Sequence, residues 1–335
     1  MERATARAVR FHQIGGPEVL RIEPVEVRQP GPNEVSIRVK ALGLNRAEAL
    51  LRTDRYIESP QLPSGLGLEA TGLVEAVGSE VRGFSPGDAV SVLPPTSMHE
   101  QPTHAERLVV PQSRLVKNPP GQAWTEAAAT WMQYLTAYGA LVQVAGMRAG
   151  DFVVITAASS SVGLAAIQIA RRVGAVPIAV TRTSAKRDAL AQAGAAAVIA
   201  SDEEDLRSRL LEITGNAGAR VVFDPVGGPI FEPLSAAMAE GGILIEYGGL
   251  SPEPTPFPLF EVLSRSLTLR GYRVYELLED PARLQAASAF IRDGLADGTL
   301  RPVIARTFAF DDVVEAYRYL ESNQQFGKVV MTLQE

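Results

Sequence analysis

The chain has no cysteine. Disulfides, thiolate zinc sites and a cysteine nucleophile are thereby excluded. Histidine is almost as scarce, and His12, His99 and His104 leave little material for an imidazole metal site. No apolar stretch is both long enough and free enough of charge to span a bilayer. The N-terminal segment, MERATARAVRFHQ, lacks the apolar core of a secretory signal, so the expected compartment is the cytoplasm. Excess positive charge is also missing. Lys and Arg number 32 against 38 Asp and Glu, a net charge of −6, which argues against a general nucleic-acid or anionic-membrane binder. No solenoid repeat or low-complexity segment occurs. What is present is an ordinary globular composition, 46% hydrophobic and 21% charged, over 335 residues. That length exceeds what a single core usually organises, so two domains are expected.

Residues up to about 124 read as β-rich, with short apolar runs at 35–42, 70–77, 89–93 and 107–110. Turn formers separate them, and Pro86-Gly87 suits the two central positions of a type II turn. Short strands at this spacing predict a barrel-like all-β domain. From Trp124 the period changes. A helix is expected over 125–144, followed by strands at 151–156, 176–181, 196–200, 220–224 and 242–247. Helices at 161–173, 184–193, 204–213 and 230–239 alternate with them. That alternation predicts an α/β fold with a doubly wound parallel sheet. A sixth strand at 266–272 is expected at the sheet edge, where pairing with a second copy would make a homodimer. The boundaries expected are 1–124, 125–272 and 273–335. The last segment, with helices at 282–295 and 311–322 and strands at 303–308 and 328–333, should return to the β-rich domain. An active site in the cleft between domains follows from that arrangement.

The run at 153–170, VVITAASSSVGLAAIQIA, takes an apolar strand through a turn of small residues into an apolar helix. That geometry can hold a dinucleotide pyrophosphate at a helix N-terminus. Of the three glycines in a G-x-G-x-x-G fingerprint only Gly163 is kept, since Ala158 and Ser160 occupy the other two places. Ser159, Ser160 and Ser161 add hydroxyls beside the backbone amides, with Val162 completing the turn. A serine-capped helix in any α/β protein would look the same locally. The next strand ends in Thr181-Arg182-Thr183, with Lys186 close behind, at the place about 20 residues on where ribose is sensed. An acid there would repel a 2′-phosphate, whereas Arg182 and Lys186 offer it charge-assisted donors. Two cations at a helix start oppose the helix dipole, and a bound phosphate resolves the conflict. The cofactor expected is therefore NADP(H). A solvated basic helix start is the plainer alternative.

These residues, with GLNRAEALLR at 43–52, GLEATGLVEAVG at 67–78, QYLTAYGAL at 133–141 and FGKVVM at 326–331, resemble the medium-chain dehydrogenase/reductase superfamily. Within it the chain is similar to the zinc-independent quinone oxidoreductase (zeta-crystallin-like) branch, over nearly its whole length. The resemblance implies a GroES-like catalytic domain, a Rossmann cofactor domain, NADPH dependence and an oligomer. Where zinc-dependent relatives carry metal ligands this chain has Asn45, Leu68 and Met132, so no metal is expected. Without a Lewis acid, hydride transfer that ends in a phenolate or enolate is easier than one ending in an alkoxide. A quinone or α,β-unsaturated carbonyl is thus the expected small-molecule substrate. An enoyl-thioester reductase and a non-catalytic NADPH-binding protein are the alternatives.

By resemblance, Asn45 lies beside the substrate, Tyr56 offers a phenol to the developing oxyanion, and Thr136 lies near the nicotinamide. Asn45 also suits a helix cap, Tyr56 a half-buried loop aromatic, and Thr136 a helix residue bonding back to a carbonyl. Tyr247, Gly248 and Gly249 resemble the turn that passes the nicotinamide, and Lys328 a C-terminal residue reaching toward the cofactor. Tyr134 stands where glycine is common in this branch and is expected to narrow the pocket. His104 and Arg107 are substrate-side or plain loop residues, and the 94–103 segment is a candidate substrate mouth.

Overall fold

The structure is a computed structural model that describes residues 5–95 and 97–334. The first four residues of the N-terminal segment, Thr96 of the 94–103 segment and Glu335 lie outside the described residues. Contacts divide the chain into two compact units, Met1–Met132 with Pro302–Glu335, and Gln133–Arg301.

In chain order the first unit contains β1 (Thr5–Phe11), β2 (Leu20–Glu26), β3 (Glu34–Gly43), β4 (Ser64–Gly65), β5 (Glu69–Val77), β6 (Ala89–Val92), β7 (Arg107–Pro111) and β8 (Leu115–Lys117). The second unit contains β9 (Phe152–Ile155), β10 (Val176–Thr181), β11 (Ala197–Ala200), β12 (Ala219–Asp224), β13 (Met238–Glu246) and β14 (Thr268–Gly271). The chain then returns to the first with β15 (Ile304–Ala309) and β16 (Lys328–Thr332).

The first unit is the GroES-like, β-rich half. A seven-stranded sheet runs β15-β16-β3-β5-β6-β8, with β7 also paired to β3. Its centre is β3, whose Val35, Ile37 and Val39 are buried against Phe11, Val90, Val92 and Met331. Each such side chain contributes about 1.5–3 kcal/mol by leaving water. β16 runs antiparallel to β3, with Val330 opposite Gly43. That register brings Lys328, at the start of β16, next to the residues that follow β3. The hairpin of β1 and β2 was not expected from sequence. β1 buries Ala6, Ala8, Val9 and Phe11, a pattern broken by Arg7 and Arg10 and begun by two small alanines, so its hydrophobic signal is short.

The second unit is the Rossmann half. All its strand pairs are parallel, in the order β11-β10-β9-β12-β13-β14. The strands read as continuous apolar runs because helices cover both faces, and Val153, Val154 and Ile155 of β9 are fully buried. The chain winds outward from β9 in both directions, which opens a crevice at the carboxyl ends of β9 and β12.

Four expectations are corrected. The helix over 125–144 is broken into Trp124–Ala127, Trp131–Tyr138 and a π-helical turn Gly139–Val144. At the first break Thr130 Oγ1 bonds back to the Glu126 carbonyl at 2.7 Å, a contact that bends helices. The helix expected to reach 239 ends at Ala236, since Met238 already belongs to β13. The chain leaves the second unit at Pro302, later than the expected residue 273. Helix Pro281–Ala296 stays because Arg283 Nε bonds Gln143 Oε1 at 2.8 Å and Phe290 packs on Tyr138, ring centroids 4.8 Å apart. The first division between units falls inside the Trp131–Tyr138 helix, beyond the expected residue 124.

Candidate active site

In the second unit, Ser160 caps the helix Ser161–Val173, its Oγ accepting the Gly163 amide at 3.0 Å. The first amides of a helix have no partner inside it, so those of Ser161 and Val162 remain for a ligand. Gly163 has to be glycine. A Cβ there would sit 2.6 Å from the Ala158 carbonyl oxygen and 2.8 Å from that of Ala157. Ala157 opens the turn with a left-handed φ of 43°, a conformation costly for a residue with a side chain.

The cations converge on the same turn. Lys186 Nζ lies 3.1 Å from Ser159 Oγ. Burial lowers the Lys186 pKa, and the nearby charge of Arg182 lowers it further. Arg182 is exposed just beyond Thr181, the last residue of β10. Like charges held this way favour an anion between them. Sequence reasoning missed Glu203, whose Oε1 accepts the Ser184 amide at 2.9 Å and caps the turn that carries Lys186. That hydrogen bond holds its carboxyl below the usual range. It arrives from beyond the neighbouring strand β11, so nothing local announced it.

On the other side of β9, Asp224 and Glu246 end β12 and β13 opposite one another. Asp224 accepts the Thr156 hydroxyl and the amides of Val226 at 3.1 Å and Gly227 at 2.9 Å. Glu246 is different. Both of its carboxyl oxygens are buried with no hydrogen-bond partner among the described residues, and so is the Tyr247 hydroxyl. Burial, then the Asp224 charge, push the Glu246 pKa up to about 9. Tyr247 stacks on Phe223 with centroids 3.9 Å apart, and burial raises its phenol as well. Gly248 follows directly, and its amide bears on the Glu246 carboxyl. The sequence signal for Glu246 was an acid closing an otherwise apolar strand, ILIE.

In the first unit the polar residues are committed to one another. Lys328 is 1% exposed, and its Nζ donates to Asn45 Oδ1 at 2.7 Å and to Glu69 Oε1. Two of its three protons are used on these partners, which leaves one. Asn45 is spent as well, its Nδ2 donating to Gly43 O at 3.2 Å, Glu48 Oε1 at 3.2 Å and Glu69 Oε1 at 3.3 Å. It also starts the helix Arg46–Arg52, its own amide donating to Glu48 Oε2 at 2.8 Å. Glu48 further takes Leu68 N at 3.0 Å and the Tyr317 hydroxyl at 2.7 Å. Burial raises the Glu48 pKa, and these donors oppose the rise.

His104 Nε2 bonds the same Tyr317 hydroxyl at 3.0 Å. Burial, then the charge of Lys328, lower its pKa to about 3, so it is a neutral core residue. Gly67 makes this packing possible, with a φ of 116° and room for no Cβ, which would lie 2.2 Å from His104 Nδ1. Arg107 pairs with Glu75 at 3.1 Å. Tyr134, in the second unit, is buried with its hydroxyl on Gln168 Oε1 at 2.7 Å, which corrects the expectation of a pocket-narrowing side chain. Thr136 is buried on the Trp131–Tyr138 helix.

Two of the three positions where the resemblance would put metal ligands, Leu68 and Met132, belong to an apolar cluster, and the third, Asn45, belongs to the polar network above. Leu68 packs with Leu51 and Met98, and Ala47, Tyr56 and Met132 lie against them. Met98 comes from the 94–103 segment, which is tied down by the Met98 amide on Glu58 Oε2 at 3.2 Å. The two oxygen donors nearby, Asn45 Oδ1 and Glu69 Oε1, already share the Lys328 ammonium. A catalytic zinc site needs three nitrogen, sulfur or carboxylate ligands from the protein, with the fourth position left to water; Leu68 and Met132 supply none of these, so these residues do not fit that ion. Among the described residues no other group of three His, Asp or Glu is placed to hold a metal.

Two family models match the chain: an alcohol dehydrogenase GroES-like domain over residues 31–136, and a zinc-binding dehydrogenase over residues 161–293. The quinone oxidoreductase of Pseudomonas aeruginosa is 32% identical over 97% of this chain and 99% of its own. Escherichia coli quinone oxidoreductase complexed with NADPH superposes with a TM-score of 0.90 at 30% identity, covering 98% of this chain and 100% of that one. An NAD-dependent alcohol dehydrogenase superposes with a TM-score of 0.88 at 32% identity, with coverage of 98% and 100%.

Proposed function

The chain belongs to the quinone oxidoreductase branch of the medium-chain dehydrogenase/reductase family, and on that premise we propose that it reduces a quinone or α,β-unsaturated carbonyl with NADPH and without a metal. The observation that carries the cofactor reading is the Lys186 ammonium 3.1 Å from Ser159 Oγ, with Arg182 beside it. These two cations suit a 2′-phosphate next to a turn whose free amides suit a pyrophosphate. The NADPH bound by the Escherichia coli relative supports this reading, and the NAD-dependent relative is the contrast it has to survive.

Bound NADPH supplies the hydride. The chain's own part is to orient the acceptor, exclude water and stabilise charge on the acceptor oxygen. Leu68, Met98 and Met132 offer an apolar wall for a flat ring, and the Tyr56 phenol at its edge is the proposed donor to the developing oxyanion. The donor set of Asn45 is already committed, so its proposed role is to hold the loop in place. Thr136 is proposed to stand near the nicotinamide. A phenolate or enolate spreads its charge, so hydrogen bonds suffice where an alkoxide would need a Lewis acid.

The test is NADPH oxidation measured across quinones, enones, enoyl thioesters and simple aldehydes. Turnover of quinones or enones is expected. Turnover confined to simple aldehydes contradicts the proposal.

A homodimer through the edge strand β14 is also proposed. Phe257, Leu259, Phe260 and Leu263, all exposed, lie just ahead of that strand, and an unpaired edge beside apolar side chains invites a second copy. Sedimentation should show a dimer that Phe260→Glu with Leu263→Glu dissociates. No helix among the described residues is long and apolar enough to cross a membrane.

A further inference from the structure

The order of strands fixes which end of a cofactor lies where. β10, carrying Arg182, is on one side of β9, and β12 and β13 are on the other. A dinucleotide with its pyrophosphate at the turn after β9 and its 2′-phosphate at Arg182 therefore lays its nicotinamide half over the ends of β12 and β13. Two acids wait there, Asp224 and Glu246, paired in register. Two carboxylates at a polyanion's site are an electrostatic conflict. Asp224 already accepts three donors. Neither Glu246 oxygen makes a hydrogen bond of good geometry among the described residues, though the Asp224 carboxylate and the Gly248 amide lie near it, and the buried Tyr247 hydroxyl beside it is equally unpartnered. Unpartnered buried polar atoms are costly unless something arrives to pair them.

We propose that Glu246 enters the cofactor site as a neutral carboxylic acid that donates its O–H to the uncharged nicotinamide-ribose half of NADPH. This deepens the cofactor reading above and rests on it. A proton on Glu246 removes the repulsion and supplies a donor where a carboxylate could only accept. The raised pKa, about 9, agrees with that state at neutral pH. Asp224 on β12 is the charged group that bears on Glu246 most, and Tyr247 is the titratable neighbour on its own strand. On β14, Arg270 is taken by Glu276 at 2.7 Å.

The test is the NADPH dissociation constant, read by cofactor fluorescence from pH 7 to 10, for the full chain and two variants. In the wild type the constant should rise above pH about 9, approaching tenfold per pH unit. Glu246→Leu, which removes the hydrogen bond, should weaken binding about tenfold at pH 7. Glu246→Gln keeps a neutral donor, so it should recover most of that loss and abolish the rise above pH 9. If Glu246→Gln binds as poorly as Glu246→Leu, the group acts as a carboxylate and the proposal is overturned. It is equally overturned if Glu246→Leu binds as the wild type does. Failure of the wild type to bind NADPH at pH 7 is a different result, and it overturns the cofactor reading itself.

Discussion

The two units each bury a cluster of acids, and the clusters are opposites. In the first unit Asn45, Glu48, Glu69, Tyr317 and Lys328 satisfy one another through contacts of 2.7–3.3 Å. In the second, Glu246 and Tyr247 are half-buried, and their polar side-chain atoms are buried and unpaired among the described residues. A satisfied network rigidifies, and an unsatisfied one in a crevice marks a place for a ligand. The sequence resemblance pointed to Asn45 and Lys328 as substrate- and cofactor-side groups. The geometry ties them to one another at the start of the helix Arg46–Arg52, and moves attention to the strand ends of the second unit.

That contrast can be broken by experiment. The largest effect is expected from Lys328→Met, which strands Glu69 without its cation in the buried cluster. Removing one partner of a buried pair typically costs about 3–5 kcal/mol. Urea unfolding should show a loss of that order, and a loss below about 1 kcal/mol would mean the cluster is not the rigid network described here. Next comes Arg182→Asp, in the second unit. Losing a charge-assisted bond of about 1.5–3 kcal/mol should weaken NADPH roughly 10- to 100-fold. NADH should be weakened far less in parallel titrations, and equal losses would remove the 2′-phosphate assignment.

His104 gives a pH signature for the first unit. Its folded pKa, about 3, lies below the ordinary value of 6.5. The unfolded chain therefore takes up the proton first as pH falls. Stability is intact above about pH 6.5 and declines below it, by up to about 1.4 kcal/mol per pH unit, until the folded pKa is reached. Between pH 6.5 and 5 the wild type should lose about 2 kcal/mol that His104→Gln retains, measured by urea unfolding at both pH values. The smallest effect is expected from Ser160→Ala. Loss of the cap should cost about 1 kcal/mol, read from the thermal midpoint, because the Gly163 amide loses its acceptor.

The parts of the fold that were legible in the sequence were those written locally. Helix Ser161–Val173 was readable to the residue, because a serine cap opens it, an apolar period runs through it and Gly174 closes it. β10 was equally plain as an apolar run between turns. What failed was non-local. Lys328 and Asn45 are 283 residues apart and meet only because β16 pairs with β3. Glu203 reaches the Lys186 turn from beyond the end of the neighbouring strand, and Glu246 gains its character from Asp224 on the adjacent strand. The break after Ala127 turned on a single threonine hydroxyl bonding back to a carbonyl. Candidate residues could therefore be named from sequence, while which of them were already spent on one another could not.

The central claim is hydride transfer from NADPH without a metal. Its most direct test is the rate of NADPH oxidation by a quinone before and after exhaustive chelation, with zinc counted per chain. The account predicts substoichiometric zinc and an unchanged rate. A rate that falls on chelation and returns with added zinc contradicts it.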